Sequence, residues 1–365
     1  RHRGLALYAL GAHAEALDSL DAALRAEPDA SDVQCSRGHV LMAMGRKDAA
    51  AAAYAAVLEK DPQYPYALGN MVHAQLHQCV WDDHARLTAL LQEQVRAGQL
   101  ADVPFSFLSV SSSMADQWKC AVQSAQDQYP SKGRLWNGEQ YGHARIRIGY
   151  ASADFHNHAT AQLMAELFEL HDRSAFEIYA FSYGQHRTGA MRERLERAFD
   201  HFLDVGHMTD QVIAQQIHGH QIDILVDLKG YTAQGRLGIF AWRPVPVQVS
   251  YLGYPGTLGV EYVDYILGDE VVTPFEHAPY YSEKIVQLPH SYQVNDRWRA
   301  VAQHTPSRAD VGLPETGFVF CCFNNNYKIT PAVFDVWMRL LRQCDGSVLW
   351  LLQDNEGAAA NLRKE

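Results

Sequence analysis

Two stretches at the front of the sequence repeat each other at a spacing of 34 residues. Gly4, Gly11, Ala16, Leu24 and Pro28 recur as Gly38, Gly45, Ala50, Leu58 and Pro62. A fixed period of this length belongs to stacked helical hairpins, each too small to bury its apolar face alone. The small residues let paired helices approach closely, and each proline closes a second helix because its ring cannot continue the backbone ladder. An alanine-rich bundle would not need Gly and Pro at matched positions. Residues 1–78 are expected to form such repeats, with Tyr64–Gln78 beginning a third. Stacked, they present a concave surface to extended peptides.

The period is that of tetratricopeptide repeats. Residues 79–140 read as a helical connector. One helical pattern opens at Trp81-Asp82-Asp83 and runs through Leu87, Leu90, Leu91 and Val95; a second covers Met114–Gln128. Pro130, Gly133 and Gly138 then mark a linker.

From Arg145 the pattern changes. Strand-like runs at 146–151, 177–182, 222–227, 247–251 and 262–267 alternate with helical patterns such as 191–199 and 209–218. That alternation predicts a parallel sheet with helices on both faces, so residues 141–300 are read as a Rossmann-like lobe. The first strand runs into a loop carrying Asp154, His156 and His158, which opens onto an apolar helix over 162–170. Groups at the carboxyl end of a strand face the ligand crevice in open α/β folds. The segments 224–232 and 247–256 repeat that arrangement. In Gly253-Tyr254-Pro255-Gly256-Thr257-Leu258-Gly259, bare glycines would let the backbone approach a ligand. Read alone, the loop is equally an ordinary turn, since it matches neither the P-loop nor the dinucleotide fingerprint.

Residues 301–365 are read as the opening βαβ of a second lobe. Gly317–Phe323 has the composition of a buried strand, Asn324–Tyr327 is a polar turn, and Lys328 is expected to begin a helix with Pro331 in its first turn. A complete lobe would need on the order of 100–150 further residues, so the sequence is expected to be cut short here. It is expected to be incomplete at Arg1 as well, which falls inside a repeat.

Composition narrows the partners. The net charge of −11, with no block of Lys or Arg, argues against a nucleic-acid partner. No apolar run reaches the ~18 residues of a membrane span. Cys35, Cys79, Cys120, Cys321, Cys322 and Cys344 form no paired framework and fit reduced, mostly buried thiols of a cytoplasmic protein. Asp154, His156 and His158 invite a metal reading, but no further Cys/His cluster supplies the remaining ligands. No metal or cofactor is expected.

The repeats, Asp154-Phe155-His156-Asn157-His158, Tyr251-Leu252-Gly253-Tyr254-Pro255-Gly256-Thr257 and Phe323-Asn324-Asn325-Asn326-Tyr327-Lys328 occur in that order. In this the chain resembles the O-linked N-acetylglucosamine transferases and the related SPINDLY-type transferases, over nearly its whole length. The resemblance implies a tetratricopeptide superhelix followed by a two-lobed glycosyltransferase B fold. It implies transfer of N-acetylglucosamine from UDP to Ser or Thr hydroxyls with inversion, and protein or peptide acceptors along the repeat groove. Lys328 would stabilise the departing diphosphate, with Asn325 and Tyr327 beside it; the family typically has Gln at the position of Asn325. His158 would face the acceptor hydroxyl. It could act as base, Asp154 could orient it or take the proton through water, or the donor's own phosphate oxygen could serve. Thr160, Leu252, Gly253 and Tyr254 would line the sugar pocket. The histidine that animal relatives carry in the helical connector has no counterpart within 110–114. Two other readings stay open: a protein O-fucosyltransferase using GDP-fucose, and an inactive repeat scaffold.

Overall fold

A computed structural model describes residues 1–365, which divide into two compact units: residues 1–111 together with 302–365, and residues 112–301. The division falls inside the segment 79–140.

The first unit opens with helices α1 (His2–Ala9), α2 (His13–Ala26), α3 (Ser31–Ala43), α4 (Lys47–Lys60), α5 (Ala67–His77), α6 (His84–Arg96) and the short α7 (Pro104–Phe107). The sequence repeat has a direct steric basis. A Cβ on Gly4 would lie 2.8 Å from Leu20 Cγ, and one on Gly38 would lie 2.6 Å from Tyr54 Cε1, the matching contact one period later. Leu20, Tyr54, Ala16 and Ala50 are all buried. Gly11 and Gly45, at φ of +77° and +74°, make the left-handed turns between the paired helices.

The second unit begins with α8 (Met114–Gln128), capped by Ser113. Its sheet is entirely parallel, with strands β1 (Ile146–Ser152), β2 (Phe176–Ser182), β3 (His201–Asp204), β4 (Ile224–Asp227), β5 (Val247–Tyr251), β6 (Tyr265–Gly268) and β7 (Lys284–Gln287). Helices α9 (Ala159–Glu169), α10 (Ala190–Ala198) and α11 (Asp210–Gly219) follow the first three strands. The order β3-β2-β1-β4-β5-β6-β7 places β1 beside β4, where the direction of winding reverses. Ile148, Tyr150, Ile178, Ala180, Val226, Val249 and Tyr251 form one core with Met164 and Phe168 of α9 and Leu195 of α10. The opposite face is also filled: a Cβ on Gly149 would press on Phe181 and Leu225. Burial on both faces explains why these strands read as apolar runs rather than alternating ones. β3 and β7 escaped the sequence reading because each is a four-residue strand at the margin of the sheet, with polar ends.

Residues 302–365 add the parallel pair β8 (Val319–Cys322) and β9 (Val348–Leu351), with α12 (Pro331–Gln343) between them and α13 (Glu356–Lys364) after. Two expectations are corrected here. The strand read as buried is not: Phe318 and Phe323 are more than half exposed, because a two-stranded sheet offers them no opposing layer. Lys328 does not begin the helix. It ends a 3-10 turn over Asn326–Lys328, and α12 is capped by the Thr330 hydroxyl, which accepts from Val333 N–H at 3.4 Å. The thiols are corrected in the same region. Cys35, Cys79 and Cys120 are buried, but Cys321 is exposed and Cys322 and Cys344 are half-buried. No helix is long and apolar enough to cross a membrane.

This segment is tied to the end of α5. The last carbonyls of a helix lack partners within it. Here Asn355 Nδ2 donates to His77 O and Asn361 Nδ2 to Gln78 O, each at 2.9 Å. Asn355 also caps α13, its Oδ1 accepting from Ala358 N–H at 2.8 Å. Lys47 of α4 pairs with Asp354 at 2.8 Å. Cys79, Ile329, Phe334 and Ala358 close an apolar cluster between these elements. Asn355→Ala loses a cap and leaves a carbonyl unpaired, an expected cost of about 1–2 kcal/mol. Asn355→Asp keeps the cap oxygen but not the donor and should fall between the two. Urea unfolding midpoints of the three proteins check the order.

Candidate active site

The carboxyl ends of β1, β4 and β5 carry most of the chemistry. After β1 the chain turns at Ala153–Asp154. Asp154 N–H donates to Ser152 Oγ at 3.0 Å, and His156 N–H donates to the Asp154 carbonyl at 2.7 Å. These bonds aim the buried Asp154 carboxylate across the sheet. There its Oδ2 meets Lys229 Nζ at 2.6 Å, with both side chains almost fully buried.

Lys229 follows β4, and its backbone is held by the preceding carboxylate. Asp227 Oδ1 accepts from Lys229 N–H and Oδ2 from Gly230 N–H, each at 2.9 Å. Burial raises the Asp227 carboxyl to about 6, against the lowering effect of those amides and of the Lys229 charge. β1 and β4 are neighbours at the reversal of strand order, where open α/β sheets bind ligands. The Asp154–Lys229 pair therefore spans the topological switch point.

His158 stands at the N-cap of α9, 40% exposed. Its Nδ1 accepts from Thr160 N–H at 3.2 Å and lies 3.3 Å from Asp154 Oδ2. The two contacts call for different tautomers: the first needs a lone pair on Nδ1, the second a proton. Its pKa is lowered, first by burial. The Asp154 charge works against this, while Lys229, His156 and Arg187 reinforce it. The neutral imidazole is thereby favoured. The loop is also fastened from behind. Buried Arg192 grips Asp204 through two bonds of 2.8 and 2.7 Å and reaches Ser182 Oγ at 3.2 Å and Phe155 O at 3.5 Å.

The loop after β5 presses on the loop after β4. A Cβ on Gly253 would lie 1.9 Å from the Leu228 carbonyl oxygen, and one on Gly230 would lie 2.5 Å from Tyr254 Cβ. Leu252 sits at a φ of +62°, an uncommon conformation for a side chain of its size. Tyr254 is buried edge-on to Tyr231, with 5.4 Å between ring centroids. The loop's far end is anchored by Glu283, which accepts from Thr257 Oγ1 at 2.7 Å and from Leu258 N–H at 2.6 Å. Burial raises the pKa of Glu283 despite these bonds.

Of the residues singled out in the sequence, Asp154, His158, Thr160, Leu252, Gly253 and Tyr254 lie on these strand ends. Asn325, Tyr327 and Lys328 belong to the other unit. There Tyr327 is buried, Asn325 and Lys328 are exposed, and Lys328 Nζ is 5.9 Å from the Tyr327 ring centroid. Sequence reasoning passed over Lys229, Asp227, Tyr183 and Glu283. Asp227-Leu228-Lys229-Gly230 was visible as a carboxylate, a lysine and a glycine leaving a strand, but not which strand it would lie beside. Tyr183, just after β2, is buried with its hydroxyl unbonded, and its pKa is pushed well up by burial and by the Asp227 and Asp154 charges.

Lys229→Met should leave a buried carboxylate without its cation, at a cost of about 3–5 kcal/mol. The same change should raise the titration midpoint of His158, because the opposing ammonium is gone while Asp154 remains. Asp154→Asn should shift that midpoint the other way. Imidazole chemical shifts followed against pH check both signs.

The chain is similar to known proteins in both sequence and fold. The profile of glycosyl transferase family 41 matches residues 135–306 and 301–365, and a tetratricopeptide repeat profile matches 1–65 and 35–75. The chain is 35% identical over 307 residues to the probable UDP-N-acetylglucosamine–peptide N-acetylglucosaminyltransferase SEC of Arabidopsis thaliana, covering 78% of this chain and 31% of that protein. It is 32% identical over 233 residues to the probable enzyme SPINDLY of the same plant, covering 61% and 24%. With the UDP-N-acetylglucosamine–peptide N-acetylglucosaminyltransferase of Caenorhabditis elegans it shares 25% identity over 332 residues, covering 60% and 29%. The chain thus spans less than a third of the length of these curated relatives. A lysine-to-methionine mutant of Thermobaculum terrenum O-GlcNAc transferase has the same fold, with a TM-score of 0.74 and 24% identity over 99% of this chain and 70% of the other.

Proposed function

The chain belongs to glycosyl transferase family 41, and from that premise we propose that it serves an inverting transfer of N-acetylglucosamine from UDP to Ser or Thr hydroxyls of protein acceptors. The observation that carries this reading is the buried Asp154–Lys229 pair with His158 beside it at the switch point of a doubly wound sheet. The names of the relatives support the donor and the acceptor class.

In this reading the bond between the anomeric carbon and the diphosphate oxygen breaks, and its electron pair leaves with UDP. The acceptor oxygen bonds to that carbon from the opposite face. The acceptor proton passes to His158 Nε2 when Nδ1 carries its proton toward Asp154, 3.3 Å away. Asp154 fixes that ring, and Lys229 fixes Asp154. Thr160, Leu252, Gly253 and Tyr254 shape the sugar side. Lys328 is assigned to the departing diphosphate, whose growing charge an ammonium stabilises, with Asn325 and Tyr327 beside it. Lysine and backbone dipoles do the work of a metal, so no metal or cofactor is invoked. The repeats α1–α5 are assigned to acceptor peptides. The setting is proposed to be the cytoplasm.

The acid limb of kcat/KM should follow His158 losing its lone pair as pH falls. Since its pKa is lowered, the midpoint should lie below the ordinary 6.5; a midpoint above that value removes His158 as the base. Lys328→Ala in the full-length protein should lower turnover on the order of 10³-fold without unfolding it, and normal turnover would remove the assigned role. Calorimetric titration with UDP and GDP tests the donor. Tight GDP binding without UDP binding would turn the assignment to a GDP-sugar such as GDP-fucose, and UDP binding with no transfer would leave a repeat scaffold.

A further inference from the structure

Two imidazoles of the repeat arm lie directly under the turn that bears Lys328. His73 and His77 are one helical turn apart on α5, with Nε2 atoms 3.2 Å apart and ring planes nearly perpendicular at 86°. At that distance one Nε2 donates and the other accepts, which requires at least the accepting ring to be neutral. Their surroundings favour this. Burial and the Lys47 charge lower His73 to about 4. Burial, His73 and Lys47 lower His77 to about 3, against the opposing charge of Asp354. Both Nδ1 atoms are buried without a partner.

The ring of Tyr327 packs on both imidazoles, with centroids 5.3 Å from His73 and 4.9 Å from His77, and 6.3 Å from Phe105 of α7. Asn326 and Ile329 are buried on either side of the solvent-facing Lys328. The turn closes on itself through Lys328 N–H to Asn325 O at 3.0 Å and Ile329 N–H to Asn326 O at 2.9 Å. Cys79 Sγ reaches Asn326 O at 3.8 Å from the end of α5. The Tyr327 ring and the Asn326 carbonyl thus rest on α5, α7 and Cys79 just after α5, Ile329 packs with Phe334 and Ala358 as well, and Lys328 faces solvent.

We propose that His73 and His77 are positioning residues for Lys328. Hydrogen-bonded to each other, they hold the Tyr327 ring and so set where the neighbouring ammonium stands. This rests on the assignment of Lys328 to the diphosphate, and it makes a repeat helix part of the machinery that binds the nucleotide. Neither imidazole touches substrate; each acts through Tyr327. A 1 Å displacement of such a group is enough to cost up to about a hundredfold.

The test is a double-mutant cycle in the full-length protein, with UDP affinity measured by calorimetry and backbone amide exchange followed in parallel. His77→Ala should weaken UDP binding by about tenfold in the wild-type background, and by no more than about twofold when Lys328→Ala is already present. Exchange should speed up at Asn326–Ile329 while α1–α4 keep their protection. Equal weakening in both backgrounds, or none in either, overturns the positioning role alone. Lys328→Ala with unchanged UDP affinity overturns the lysine's assignment and this inference with it. Should His77→Ala fail to fold, His73→Gln removes one ring yet keeps a hydrogen-bonding group, and the same cycle decides.

Discussion

The ion pair between Asp154 and Lys229 is what the catalytic end of the sheet depends on. Burying two opposite charges is costly unless they meet each other with good geometry and their remaining polar atoms are satisfied. Here one partner follows β1 and the other β4, so the pair forms only when those strands lie side by side. Once formed, it leaves the two loops little freedom. Asp227 adds a second restraint by taking the amides of Lys229 and Gly230, and Gly253 lets the β5 loop pack against the Leu228 carbonyl. His158 inherits its place from these contacts, since its ring is set by Asp154 and by the first turn of α9.

The parts of the fold that repeat or alternate were legible in the sequence. Gly4 and Gly38 announce the helix pairs because only a hydrogen fits against Leu20 and Tyr54. The apolar runs of β1, β2, β4 and β5 announce a parallel sheet because both faces are covered. Asp154 and His158 could be singled out, since a carboxylate and an imidazole leaving an apolar strand have few structural uses. Lys229 and Glu283 could not, because their roles come from partners 75 and 26 residues away, and sequence shows no strand order. Pro331 marks a first turn and so points to a helix at Lys328, yet the Thr330 hydroxyl starts that helix and leaves the lysine in a tight turn ahead of it. β8 shows a converse failure: an apolar composition fixes a strand but not its burial.

Residues 302–365 complete the helical unit as much as they extend it. The end of α5 has carbonyls that the helix cannot satisfy, and Asn355 and Asn361 supply the amides. Cys79, Ile329, Phe334 and Ala358 exclude water from the same junction. Losing either amide leaves a part-buried carbonyl without its protein partner, which is costlier than the net worth of the bond.

The bond from Asn355 to the His77 carbonyl joins residues 278 apart in the sequence. A ribosome adding about 5–20 residues per second needs on the order of tens of seconds to cover that distance. Helices α1–α4 can pack against each other soon after emerging, but the far end of α5 must wait, its carbonyls bare, while the whole parallel sheet is made and folds. The nascent chain thus carries an unfinished helix end while those 278 residues are added, and that exposed end is where a chaperone would have the longest opportunity to act.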